Sequence, residues 1–390
     1  MPPLVSICLP TLNARKFLEP RMQTILAQTL TDWELIVCDS YSDDGTWEYF
    51  QQFKNDPRIR RHQVPKAGLY AGWNECLRLA TGEYIYIATA DDTCTPELLE
   101  KMVGGLTRTR NGGQRSEIGG PQEEGGRMAV GRGQGLLSRE HATNDRGQLV
   151  ADSRPIDIAV CDFETIDEGD RPIDHSDARG PRKFYGEWMA QSHIRDGRTE
   201  FLLHTCLGII WWTMTAVVFR RSLLNRIGLF RTDRGSRADE EWDMRAELAS
   251  DIVYVPEKLS TWRVHAAQAT ARPFLNPRTI LDSLEAVLDD ETSGVPAEWM
   301  RVPEWRDEII RVCRAAYINH FALYGHIAKE SPAKFVRGVF HALTKEPGFL
   351  FRQTMRGFKW DPALSPDPVA VANRLIRLFN CRWPPSESVH

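Results

Sequence analysis

Two adjacent carboxylates, Asp91 and Asp92, close the apolar run Tyr84 to Thr89 in the stretch Gly82-Glu83-Tyr84-Ile85-Tyr86-Ile87-Ala88-Thr89-Ala90-Asp91-Asp92. Neighbouring carboxylates repel unless a positive charge joins them, and a hard divalent cation shared with phosphate oxygens suits such a pair. A solvated acidic turn is the plainer alternative. A second acidic cluster, Asp239-Glu240-Glu241, stands before Trp242 and Asp243 at the start of a predicted helix. Successive helical residues diverge by about 100°, so Glu240 and Glu241 cannot share one role. The first apolar run ends in Pro10-Thr11-Leu12-Asn13. It carries neither a GxGxxG turn nor a glycine-rich basic phosphate loop. That argues against a dinucleotide-dependent dehydrogenase and a sugar nucleotidyltransferase.

The elements that must position these residues are legible as alternating patterns. Leu4 to Leu9, Trp33 to Cys38, Ile59 to Val64 and Tyr84 to Thr89 predict strands. Helical spacing marks residues 15–29, the stretch holding Trp47, Phe50 and Phe53, and Gly68 to Ala80. Four strand–helix alternations with short connections predict a doubly wound, largely parallel α/β sheet. Both acidic residues of the central turn then fall at the carboxyl end of a strand, where open α/β sheets bind ligands. Thr95 is expected as the N-cap of the next helix, with Pro96 in its first position.

Residues 104–155 are rich in Gly, Arg, Glu and Gln, and predict a flexible insertion. A tolerated surface loop is preferred to a lid that orders over substrate. Order resumes with a strand at Ile156 to Cys161, then a polar, turn-rich stretch from Asp162 to Gly180. Phe201 to Phe219 has about the length of a membrane span. His204, Thr205, Gly208, Thr213 and Thr215 interrupt it, which favours a buried helix followed by a core strand. A helix from Asp239 to Ala249 and closing strands at Ile252 to Val255 and Leu259 to Val264 complete a first domain, residues 1–272. Residues 273–390 form a C-terminal helical region, with helices at Ile280 to Leu288, Trp305 to Leu323, Pro332 to Leu343 and Val369 to Phe379. Lys334, Arg337, Lys345, Arg352, Arg356, Lys359, Arg374 and Arg377 gather there among aromatic residues. That pattern suits an ordinary helical cap with a solvated face, and alternatively peripheral contact with an anionic membrane surface.

The 390 residues are 42% hydrophobic and 26% charged, ordinary values for a globular protein, and the net charge of −4 gives no argument for nucleic acid. The eight cysteines are scattered without a CxxC pair. Cys8, Cys38 and Cys161 lie in apolar runs, which favours reduced, buried thiols and a cytoplasmic location. The N-terminus starts on a strand and shows no signal-peptide pattern.

The ordered motifs resemble family 2 glycosyltransferases of the GT-A fold. They run from Val5-Ser6-Ile7-Cys8-Leu9-Pro10-Thr11-Leu12-Asn13 through Glu34 to Asp39, Ser42-Asp43-Asp44-Gly45-Thr46, Gly68-Leu69-Tyr70 with Asn74, and Ala90-Asp91-Asp92. They resume at Val217 to Arg221 and Glu240-Glu241-Trp242-Asp243, ending on Trp262-Arg263-Val264-His265. The resemblance implies an inverting enzyme that moves a sugar from a nucleotide-sugar donor, UDP-linked, to a glycan or lipid-linked acceptor. Polysaccharide synthesis at the inner membrane surface is the implied setting. It implies Mg²⁺ or Mn²⁺ held by Asp91, Asp92 and His265, nucleoside contacts from Thr11 and Asp39, and Arg263 near the diphosphate. Pro10, Asn13, Ser42, Gly68, Asn74 and Ala90 belong to the same donor-binding motifs. Glu241 aligns with the catalytic carboxylate, usually Asp, and Glu240 or Asp239 could serve instead. Thr89, Ser40 and Lys66 stand where the family often has acidic residues. A catalytically inactive nucleotide-sugar-binding or scaffold protein of the same fold is the alternative.

Overall fold

A computed structural model describes residues 1–112, 154–173, 184–208, 213–234, 238–265, 268, 279–320, 336, 367–384 and 386–387. Its first half is built from β1 (Val5–Thr11), α1 (Arg15–Leu26), β2 (Trp33–Asp39), α2 (Thr46–Tyr49), β3 (Ile59–Gln63), α3 (Leu69–Leu79), β4 (Tyr84–Ile87) and α4 (Leu98–Gly112). Next come β5 (Ile156–Ile166), β6 (His193–Arg195), α5 (Gly197–Leu207), β7 (Val217–Arg220), α6 (Leu224–Ile227), α7 (Ala238–Ala249) and β8 (Asp251–Arg263). The C-terminal part holds α8 (Thr279–Asp289), α9 (Pro303–His320), α10 (Pro368–Leu378) and β9 (Ser386–Glu387). One nine-stranded sheet runs β3-β2-β1-β4-β7-β5-β8-β6-β9, and all its strands except β7 and β6 point the same way.

The central strands are apolar on both faces because both faces are covered. Val5, Ile7, Leu9, Leu35, Val37, Tyr84 and Tyr86 pack on one side with α1 and α4. Cys8, Ile36, Cys38, Ile85 and Ile87 pack on the other with Trp73 and Leu77 of α3 and Trp242 of α7. This is the continuous apolar signature of a sheet buried between two helical layers. Gly82 lets β4 enter beside β1: a Cβ there would lie 2.6 Å from the Ser6 nitrogen.

Several expectations change. Residues 104–112 belong to α4, where Leu106 is buried and Gly105 lies against Val253, so the inserted character cannot begin at 104. The remainder of the expected insertion, 113–153, lies outside the described residues. Thr95 does not cap α4, since its hydroxyl makes no hydrogen bond. Gln28, two residues beyond α1, accepts from the Leu99 N–H at 3.0 Å and donates to the Thr95 carbonyl at 2.8 Å. The strand expected to stop at Cys161 continues to Ile166, and the two closing strands are one, β8, held in parallel to β5 through bulges. Polar side chains on the β5 extension disguised it.

Residues 201–219 contain the end of α5 and the start of β7, and among the described residues no helix is long and apolar enough to cross a membrane. The helix expected over Pro332 to Leu343 falls outside the described elements, as do the basic side chains from Lys334 to Lys359. The C-terminal helices share a third core with Phe201 to Leu203 of α5 and with Met244 and Leu248 of α7.

Candidate active site

Three parallel strands, β1, β2 and β4, deliver their carboxyl ends to one edge of the molecule. At the end of β1 and β2, buried Asp39 accepts from Thr11 Oγ1 at 2.9 Å, Ser42 Oγ at 2.6 Å and the Ser42 N–H at 2.9 Å. The Asn13 N–H donates to Ser42 Oγ at 2.9 Å, and Asn13 Oδ1 accepts from the Asp43 N–H at 3.1 Å. Thr11, Asn13, Asp39 and Ser42 are therefore one hydrogen-bonded unit, with Pro10 beside it on β1. Asn13 and Tyr41 both hold left-handed backbone, φ +51 and +49, a conformation that clusters at ligand-binding turns. Gly68, at φ +102 and with open space around it, begins α3 on the same edge.

Asn74 is bonded within the fold. Its amide exchanges two bonds with Phe230: Nδ2 donates to the carbonyl at 2.8 Å, and Oδ1 accepts from the N–H at 3.0 Å. It staples the 228–231 turn to α3, a role that sequence spacing could not separate from donor contact.

At the end of β4, beyond Ala90, the two aspartates part. Asp92 is buried; Thr89 Oγ1 donates to its Oδ2, and the Arg263 N–H donates to its Oδ1 at 2.7 Å. Burial, then the charge of Asp91, pushes its carboxyl up to about 7. Asp91 keeps 31% of its side chain exposed and places Oδ2 2.9 Å from His265 Nε2. His265 packs against Phe17, the ring centroids 4.7 Å apart and the planes tilted by 47°. Arg263 is consumed internally: Nε donates to the Asp91 carbonyl at 2.6 Å, Nη1 to the Asp167 carbonyl at 2.9 Å and Nη2 to Asp170 Oδ1 at 2.6 Å.

The acidic turn of α7 is held just as firmly. Glu241 is buried and receives both Arg245 Nε and Nη2 at 2.8 Å. Glu240 is buried, whereas Asp239 is half-buried. Tyr70, stacked on Phe230, lies against Asp239; burial first, then the charge and hydrogen bond of Asp239, raise its phenol well above the ordinary range. Trp242 donates to the Gly228 carbonyl at 3.2 Å and stacks on Phe230, which fixes the rotation of α7.

Among the described residues no group of three His, Cys, Asp or Glu side chains is placed to hold a metal ion. Asp91 and His265 offer two donors side by side, and His265 Nδ1 is buried without a hydrogen bond. The Asp91 oxygen suits Mn²⁺ or Mg²⁺, and an imidazole nitrogen beside it suits Mn²⁺ rather than Mg²⁺, with phosphate oxygens and water to complete the shell. Sequence patterns gave Tyr70 only as part of a motif, and did not single out Arg245, Asp167 or Asp170. Only Arg245, four residues after Glu241, carried a spacing that could have revealed its partner.

The doubly wound sheet, with an acidic turn at the central strand's carboxyl end, has the GT-A type of fold. Residues 6–148 of the 390 match the model of Glycosyl transferase family 2. An uncharacterized protein of Mycobacterium tuberculosis is 23% identical over 325 residues, 80% of this chain and 85% of that protein. Chondroitin synthase of Escherichia coli is 35% identical over 99 residues, which cover 25% of this chain and 14% of the synthase. The crystal structure of S. aureus TarS 1–349 in complex with UDP-GlcNAc shares the fold, with a TM-score of 0.52 at 12% identity, over 98% of this chain and 93% of that one.

Proposed function

We propose that this protein is an inverting, metal-dependent glycosyltransferase. On this reading it moves a sugar from a UDP-linked donor to a hydroxyl of a glycan or lipid-linked acceptor at the cytoplasmic membrane face. The observation that carries the proposal is the parting of the two aspartates: Asp92 is buried as a brace while Asp91 is presented beside His265. The sharing of family 2 motifs with chondroitin synthase supports a role in polysaccharide synthesis.

In this reading the Thr11–Asn13–Asp39–Ser42 unit shapes the nucleoside end of the donor site, and Asp91 with His265 would hold the cation. When bound, the cation supplies neutralisation of the charge that develops on the departing nucleoside diphosphate. The leaving group then needs no general acid. What the chain must supply is a base on the opposite face of the sugar, where the acceptor hydroxyl attacks. The acidic turn of α7 supplies it. Asp239 is the carboxylate there with access to solvent, while Glu241 is committed to Arg245 and Glu240 is buried. Tyr70, hydrogen-bonded to Asp239, orients it.

The test is hydrolysis and transfer across a panel of nucleotide sugars, with Mn²⁺ and with chelator. Turnover that needs Mn²⁺ and is lost in Asp91→Asn is expected. Undiminished turnover in excess chelator contradicts the metal assignment, and donor binding without hydrolysis or transfer leaves a binding module.

A further inference from the structure

Arg263 joins two turns that are far apart in sequence. Its side chain is 1% exposed, yet its guanidinium bonds the Asp91 carbonyl, the Asp167 carbonyl and the Asp170 carboxylate, while its backbone N–H bonds Asp92. The carboxylate that pairs with this buried cation is Asp170, itself 64% exposed and reaching in from the turn that follows β5. Asp167 builds that turn by accepting from the Gly169 N–H at 2.8 Å and the Arg171 N–H at 3.0 Å. An isolated bridge between Ile166 and Pro172 closes it. Asp170 holds φ +63 there, a conformation that Asp, Asn and Gly accept more readily than other residues. Phe17 underlies both Arg263, at 5.5 Å, and His265, at 4.7 Å.

We propose that Asp170 is a positioning residue for the metal and diphosphate end of the site. The inference rests on the reading of Asp91 and His265 as metal ligands. By pairing with Arg263, Asp170 lets the guanidinium take only the carbonyl of Asp91 and leaves the Asp91 carboxylate to His265. A buried cation deprived of its anion is costly. Without Asp170, Arg263 must find another anion, and Asp91, whose carbonyl it already bonds, would be drawn from its role as a metal ligand. Glu168 on the same turn is paired instead with Lys16 of α1, 3.0 Å away, and leaves the Arg263 charge to Asp170.

The experiment uses the full chain. Mn²⁺-dependent UDP binding is measured calorimetrically for the wild type, Asp170→Asn, Asp170→Gly and Glu168→Gln, alongside amide hydrogen exchange of the free proteins. Both Asp170 variants keep a residue suited to the left-handed backbone, so a loss reports the carboxylate and not the turn. Affinity is expected to fall roughly 10-fold or more in Asp170→Gly, a typical effect for a residue that orients a metal ligand. Asp170→Asn should fall less, and Glu168→Gln should match the wild type. Exchange at Arg263 should quicken in the Asp170 variants without any ligand. Wild-type affinity in Asp170→Gly overturns the proposal. If the wild type itself binds neither Mn²⁺ nor UDP, the donor-site reading fails, and unchanged protection at Arg263 then overturns the positioning claim separately.

Discussion

Identical neighbours can acquire opposite roles through burial alone, as Asp91 and Asp92 show. One carboxylate is surrounded by donors and raised by desolvation, the other keeps a solvent-facing side beside His265. The acidic turn of α7 divides in the same way, and the division is testable. Asp239→Asn is expected to lower turnover by about 10² to 10⁴ with donor affinity nearly unchanged. Glu241→Gln instead weakens a buried bidentate pair and leaves Arg245 poorly compensated, a loss of roughly 3–5 kcal/mol in stability. Steady-state kinetics and urea unfolding, run on both variants, separate these effects. Full stability with abolished turnover in Glu241→Gln would move the base to Glu241.

At the level of elements, β6 shows how a short strand can carry a pH dependence. His193 is fully buried, with Nδ1 2.9 Å from the Gln191 carbonyl and Nε2 accepting from Arg195 Nε at 3.0 Å. Arg195 in turn lies 4.1 Å from the Tyr185 ring centre and 4.3 Å from that of Tyr254. Burial, then the Arg195 charge, pushes the imidazole down to about 4. A depressed pKa means the native state resists protonation that the unfolded chain accepts. The associated stability is present above the ordinary value of 6.5 and is lost as pH falls from there toward 4. A decline of roughly 1–3 kcal/mol across that window is expected. His193→Gln, which keeps an acceptor for Arg195, should flatten it in denaturant titrations at stepped pH. An unchanged slope would assign the decline to other groups.

Across the whole molecule, the C-terminal helices share a core with α5 and α7. Trp299 stacks on Phe379 with centroids 4.4 Å apart and meets Trp305 at 5.4 Å. Their cluster includes Met244 and Leu248, on the helix whose first turn bears Asp239. Trp299→Ala should cost about 3–5 kcal/mol and lower the unfolding midpoint of the whole chain in one transition. Far-ultraviolet dichroism and tryptophan fluorescence should then report coincident curves. Two separated transitions would show that residues 273–390 fold as an independent unit.

Local rules sufficed for much of this architecture. Apolar runs such as Tyr84 to Ile87 must be buried on both faces, and the spacing of Tyr70, Trp73 and Leu77 must make one face of a helix. Their alternation forces the acidic turn to the carboxyl edge of a parallel sheet. The family motifs imply donor-site roles for Asp39, Asp91 and His265, and the structure sets His265 against Asp91. What they could not supply was the partner of each polar group. Asn74 with Phe230, Asp92 with the Arg263 amide, and Asp170 with the Arg263 guanidinium are separated by 156, 171 and 93 positions. Periodicity says which way a residue faces. Which distant donor stands opposite it depends on strand order and on the bulged pairing of β5 with β8, and those are settled only when the sheet closes and leaves each buried charge to find its counterpart.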